Sequence, residues 1–198
     1  MNKNVALHIQ LTRKFKNMDL EHYVKQHLSS ALDNIIESDK ANELPNLTIY
    51  EKAIIFAYTD VNGEHHQILN DRLRASKGAD VSDFGHYLET TLAKLEDYED
   101  LVFRGVDRDY CDVQRYIKAK DTKTSVTEYQ FLSASKFQII AQGFGHVLFR
   151  IYGKRAKNIE KVSKFVREKE VIFQKCTSFK IIYVTDNDLS TIITLKEV

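Results

Sequence analysis

Residues 131–182 read FLSASKFQIIAQGFGHVLFRIYGKRAKNIEKVSKFVREKEVIFQKCTSFKII. The apolar runs in this stretch are short, rich in β-branched and aromatic residues, and separated by polar or glycine-containing segments, which is the texture of strands. Residues 147–152, 171–173 and 179–184 are therefore read as strands. Moving outward, residues 101–103, 129–132 and 191–195 share that texture. Every predicted strand thus falls in the second half of the chain.

The first half reads as helix. Leu20, Tyr23, Val24, His27, Leu28, Ala31, Leu32, Ile35 and Ile36 recur at helical spacing behind Asp19, which is placed to cap one amphipathic helix. Pro45, the only proline, sits in the polar stretch 38–46 and divides an N-terminal helical extension (1–45) from the main domain (46–198). Thr48-Ile-Tyr-Glu51 spells a capping box and predicts a helix running to about Thr59. A turn at Asn62-Gly63 precedes a second helix from about His65 to Ala75, and Phe84, Leu88, Leu92 and Leu95 mark a third. Helices first and strands afterwards predict an α+β fold with a mainly antiparallel β core.

Composition limits the function classes. A chain of 198 residues with 43% hydrophobic and 29% charged residues and a formal charge of +1 is a globular protein of one ordinary domain, and no run approaches transmembrane length. No membrane partner is expected. Near-neutral charge removes the simplest argument for nucleic-acid binding, although Lys154, Arg155, Lys157, Lys161, Lys164 and Arg167 crowd one stretch, either as a solvated loop or as a local basic stripe. Cys111 and Cys176 cannot build a disulfide framework, so a reducing compartment is the default. The N-terminal residues lack the pattern of a signal peptide. The expected location is cytoplasmic, or inside a target cell after delivery by a route other than a Sec-type signal.

Three short features carry the chemistry, in the order Phe103-Arg104-Gly105, Phe131-Leu-Ser133-Ala-Ser135 and Phe165-Val-Arg-Glu168-Lys-Glu170. In strands, side chains alternate with period two, so Ser133 and Ser135 share a face, as do Glu168 and Glu170. Two carboxylates held side by side in a cleft tune one another's protonation, whereas on an outer face they would simply meet water.

This order resembles the arginine–serine–glutamate class of mono-ADP-ribosyltransferases. LTIYEKAIIFAYTD (47–60) and HHQILNDRLR (65–74) are similar to the helical opening of the exotoxin-type domain, and residues 131–182 to its central and C-terminal strands. Ala134 departs from the middle of the Ser-Thr-Ser-type motif at a position facing away from the site, and Gln-Lys-Cys after Phe173 stands where many relatives have a proline-containing turn. The resemblance implies a two-sheet β core and NAD as substrate. It implies that Glu170 holds the ribose and stabilises an oxocarbenium-like transition state, a task for a carboxylate. Arg104 would grip the pyrophosphate or ribose, Gly105 would let its backbone approach the nicotinamide amide, and Ser133, with Ser135 on the same face, would hold Glu170 and the nicotinamide ribose. Phe144 sits where relatives place an aromatic against nicotinamide, and is otherwise a core residue. Glu168 implies an arginine acceptor, and Phe165 would stack on that acceptor.

The resulting expectation is transfer of ADP-ribose from NAD to arginine of a target protein, as a toxin or effector, with an inhibitor or immunity protein as a further partner. The alternatives are the same chemistry on RNA or DNA, NAD hydrolysis without an acceptor, and a non-catalytic binding module using the N-terminal helix. No metal is expected, because His65 and His66 are adjacent on a helix and no His-x3-His or Cys-x2-Cys spacing occurs. Gly143-Phe-Gly145 lacks the third glycine of a dinucleotide fingerprint.

Overall fold

The computed structural model describes residues 19–60, 65–187 and 190–198. The expectations for residues 1–17 and for a turn at Asn62-Gly63 lie outside the described residues.

The expected single N-terminal helix is two, α1 (Leu20–His27) and α2 (Ser29–Ile36), because Leu28 leaves helical geometry at φ −134°, ψ 31°. The two serines that follow, weak helix formers, favour such a break. Asp19 makes no side-chain capping hydrogen bond. Helix α3 (Ile49–Thr59) begins as its sequence demands: the Thr48 hydroxyl accepts the Glu51 amide at 3.2 Å, and the Glu51 carboxylate accepts the Thr48 amide at 2.9 Å. From Glu51 to Thr59 every residue of α3 is buried, so this is the central helix. Helices α4 (His65–Ala75) and α5 (Asp83–Leu92) pack around it, the latter capped by the Ser82 hydroxyl on the Gly85 amide at 3.2 Å.

One apolar core joins Val24, Leu28, Leu32 and Ile35 to Ile54, Ile55, Leu73, Leu88 and Leu92, and beyond them to Phe131, Ile159, Val162 and Ile172. Residues on both sides of Pro45 therefore share one interior. A second core lies around Val102, Val126, Phe149, Ile151, Phe173, Phe179 and Leu195, covered by Tyr116 and Ala119 of α6 (Val113–Asp121).

The strands are β1 (Asp97–Tyr98), β2 (Leu101–Val106), β3 (Ser125–Glu128), β4 (Leu132–Ser135), β5 (Val147–Tyr152), β6 (Ala156–Asn158), β7 (Glu170–Phe173), β8 (Thr177–Asp186) and β9 (Thr191–Glu197). They hydrogen-bond in the order β1-β6-β7-β4-β2-β5-β9-β8-β3 as one sheet rather than two, with β5 and β9 parallel and the other pairs antiparallel. Between β2 and β4 the register reduces to the single pair Phe103 and Ser135, so two half-sheets meet at this join. Residues 129–131, expected as strand, form the connection between β3 and β4. The cause is local: Phe131 is buried in the helical core, and its amide donates to Oδ1 of Asn70 at 3.2 Å instead of to a strand.

Candidate active site

The join between the half-sheets brings the three sequence features together. Arg104 of β2 donates from Nη1 to the Ser133 carbonyl of β4 at 2.7 Å. The Ser133 side chain stands close enough to the Glu170 carboxylate to favour its ionised form. Ser135, on the same face of β4, donates from Oγ to the Glu168 carbonyl at 2.7 Å and accepts the Phe137 amide at 3.1 Å. One serine thus bears on the side chain of the acidic pair and the other holds its backbone. Ala134 points instead into the second core.

The two glutamates are not placed by strand alternation. Glu168 ends a 3-10 turn (Val166–Glu168), Lys169 takes a left-handed conformation at φ 52°, ψ 48°, and Glu170 opens β7. The turn is locked from below: the Lys169 carbonyl accepts the Lys136 amide at 3.1 Å, and the Nζ atoms of Lys136 and Lys169 grip the two oxygens of Glu160 at 2.7 and 3.0 Å. Glu170 is only 7% exposed, and Oε2 accepts the Ser163 hydroxyl at 3.2 Å. Burial is the main reason its pKa rises to about 7; the hydroxyls of Ser133 and Ser163 and the charge of Arg104 oppose that rise, and the Glu168 charge adds to it. Burial also lifts Glu168 above the usual carboxylate range.

These groups line a cleft of about 740 Å³ together with Gly105, Phe144, Tyr58, His66, Arg74, Arg115 and Glu128. Phe144 is 52% exposed at the cleft and so is not a core residue. Gly105 has a packing reason: a Cβ there would stand 1.8 Å from the Ala141 carbonyl oxygen, so only glycine lets the short helix α7 (Gln138–Gln142) seat against β2. Phe165 lies outside the cleft lining. Its ring carries the Lys164 ammonium at 5.7 Å, and its amide donates to Ser163 Oγ at 3.2 Å.

Sequence reading missed several participants. Tyr58 of α3 donates to the Phe131 carbonyl at 3.4 Å and accepts from Nδ2 of Asn70 at 3.1 Å, so the helical layer props the start of the serine strand. Glu128 is buried on the opposite wall, held by the Tyr116 hydroxyl at 2.7 Å, Gln130 Nε2 at 2.8 Å and Arg115 Nη1 at 3.2 Å. The one available signal was Asn70, a polar residue between Leu69 and Leu73 on an otherwise apolar helix face. The basic run is not an open stripe, for Arg155, Lys157, Lys161 and Lys164 pair with Glu197, Asp97, Glu43 and Asp60 at 2.7, 2.6, 2.8 and 2.8 Å.

A buried carboxylate, a forked cation and a serine between them, converging on one cleft, suit the cleavage of a glycosidic bond to a phosphorylated ribose. The sequence model of the NAD:arginine ADP-ribosyltransferases matches residues 5–198. The chain belongs to this family. It is an NAD-dependent ADP-ribosyltransferase, with NAD as the donor substrate. Solved structures agree on the fold of the transferase. It is similar to the ADP-ribosyltransferase HopU1 of Pseudomonas syringae at 19% identity and TM-score 0.72, covering 93% of this chain and 90% of that one. Exoenzyme S of Pseudomonas aeruginosa, solved with human 14-3-3 protein beta and Carba-NAD, matches at 18% identity and TM-score 0.61 over 86% of this chain and 88% of its own. The ADP-ribosyltransferase Vis, solved with agmatine, matches at 22% and 0.61 over 93% and 88%. Comparison with curated proteins by sequence finds no match. Among the described residues, no helix of the transferase is long and apolar enough to cross a membrane, and no group of three or more His, Cys, Asp or Glu side chains is placed to hold a metal ion.

Proposed function

We propose that the transferase moves ADP-ribose from NAD to an arginine side chain of a target protein, as a toxin or effector delivered into the cell where it acts. The observation that carries this reading is Glu168. It lines the cleft beside Glu170, it is partly buried, and among the described residues no cation pairs with its carboxylate. A guanidinium is the acceptor that satisfies such a group, with two parallel hydrogen bonds. Agmatine, bound by Vis, is a guanidinium compound, and the similar XopAI of Xanthomonas axonopodis is a type III effector.

The residues divide the work. Arg104 fixes the diphosphate side of NAD with its remaining donors, while Ser133 orients Glu170. The ionised Glu170 stabilises the positive charge that develops on the ribose as nicotinamide leaves, an effect worth roughly 3 kcal/mol for one well-placed group. Glu168 orients the acceptor nitrogen for attack on that ribose carbon and takes the proton released. Gly105 and Phe144 flank the nicotinamide, and Ser135 sets the position of Glu168 through its carbonyl. Phe165 shapes the turn rather than stacking on the acceptor.

A nucleic-acid acceptor fits less well, because most of the basic run beside the turn is already neutralised by carboxylates. The test is transfer from labelled NAD into a lysate followed by protease or nuclease. Label should be lost to protease and survive nuclease; label that survives protease and is lost to nuclease overturns the proposal.

A further inference from the structure

The neighbouring strands β5, β9 and β8 turn Ile151, Leu195 and Phe179 into the second core, so the alternate positions point out of the opposite side of the sheet. The register sets these outward residues side by side. Tyr152 of β5 stands beside Lys196 of β9, Lys196 beside Lys180 of β8, and Arg150, one row along, beside Thr194. All four of Arg150, Tyr152, Lys180 and Lys196 are exposed. A β-bulge after Ile181 leaves Ile182 half-exposed, and Val198, two residues on from Lys196, is equally open.

The charge on this face is of one sign. Among the described residues, no outward position of β5, β9, β8 or β3 is Asp or Glu. Lys180 and Lys196 are direct cross-strand partners, and like charges placed directly opposite destabilise a sheet. An anionic partner relieves that repulsion. Residues 1–17 carry Lys3, Arg13, Lys14 and Lys16 and no carboxylate, and a second copy docked face to face sets the same cations against each other, so neither fits by charge.

The groups between the cations select among anionic partners. Ile182 and Val198 are aliphatic and offer no platform on which bases stack. Lysine is depleted at the centre of protein–protein interfaces. Phenol and aliphatic groups interleaved with lysine and arginine heads suit a bilayer surface, where the apolar parts enter the headgroup layer and the charges meet anionic lipids. The lack of a spanning run, from which no membrane partner is expected, bears on insertion and not on attachment to a surface.

We propose that the outer face of β5, β9 and β8 docks on an anionic lipid bilayer through Arg150, Lys180 and Lys196, with Tyr152, Ile182 and Val198 in the headgroup layer. Arg104 alternates with Phe103 on β2 and faces the cleft on the other side of the sheet, so the docked enzyme keeps its access to NAD.

The test is co-sedimentation of the full chain with vesicles of phosphatidylcholine alone and of phosphatidylcholine with about one third phosphatidylserine. The enzyme should bind the anionic vesicles and not the neutral ones, and added salt should weaken the binding. Lys196→Glu places a carboxylate opposite Lys180 and should weaken binding roughly tenfold or more, and Lys180→Glu, the mirror change, should do the same. Both variants should consume NAD at the native rate, which also shows that they fold. Failure to bind anionic vesicles, with or without capture of a nucleic-acid duplex, or equal binding to neutral vesicles would overturn the proposal. Undiminished binding by both variants would assign attachment to another part of the chain and overturn it as well.

Discussion

The Ser163 hydroxyl donates to Oε2 of Glu170 and accepts the Phe165 amide, each at 3.2 Å, so one buried serine ties the turn that carries Glu168 to the Glu170 carboxylate. Its hydrogen bond favours the ionised form of Glu170. In the native enzyme kcat/KM for NAD cleavage should rise with pH through about 7 as Glu170 ionises. Ser163→Ala should move that rising limb upward by about one pH unit, lowering the rate at pH 7 roughly fivefold and restoring it near pH 9. A uniform loss at every pH would show that Ser163 has no effect on this ionisation.

Glu170 also makes stability depend on pH, and the sign is fixed by the direction of its shift. Its folded pKa of about 7 lies above the ordinary 4.5. Below pH 4.5 both states hold the proton and folding costs nothing extra. Between the two values the folded state alone keeps it, and above pH 7 the buried charge destabilises the fold by up to about 3 kcal/mol. Glu170→Gln should therefore raise stability in urea unfolding at pH 8 by an amount approaching that figure and leave it unchanged at pH 4. Equal effects at both pH values would show that burial of the charge is not what shifts Glu170.

Gly105 faces a backbone oxygen rather than a movable side chain, so the space for a Cβ can be made only by displacing α7. Gly105→Ala should lower stability by about 1–3 kcal/mol. At Gly143 the nearest atom to an added Cβ is 3.2 Å away, and the same change should cost far less. Thermal unfolding of the two variants checks the order.

Arg104 holds the Ser133 carbonyl with one arm of its fork and faces the cleft with the rest. Arg104→Lys keeps the charge and loses the geometry. KM for NAD should rise roughly tenfold or more, an effect that steady-state NAD hydrolysis measures, and unchanged kinetics would remove Arg104 from the site.

The sequence reading succeeded where local chemistry was unambiguous. The apolar runs of β5, β7 and β9 and the capping box of α3 could be read directly, as could the chain order of Arg104, Ser133 and Glu170. It failed where tertiary contacts overrode local preference. Residues 129–132 have strand composition, yet Phe131 fills the helical core and Asn70 takes its amide. Helix α6 was missed because VQRYIKAKD buries only Val113, Tyr116 and Ala119, too sparse a stripe to read as periodic. The pairing of Glu168 with Glu170 was expected from period two and arises instead from a left-handed Lys169 anchored through Glu160. Tyr58 and His66 line the cleft and Ser163 bears on it through Glu170, placements of common residues that only the fold shows.

The central claim is a division of labour between two glutamates, Glu170 for cleavage of NAD and Glu168 for delivery to arginine. Its most direct measurement follows NAD consumption and ADP-ribosylation of agmatine in the same reaction, for the native enzyme, Glu170→Gln and Glu168→Gln. Glu170→Gln should lose both activities by at least a hundredfold, whereas Glu168→Gln should lose transfer to agmatine and still consume NAD. Undiminished NAD consumption by Glu170→Gln, or agmatine transfer that persists in Glu168→Gln, would contradict the account.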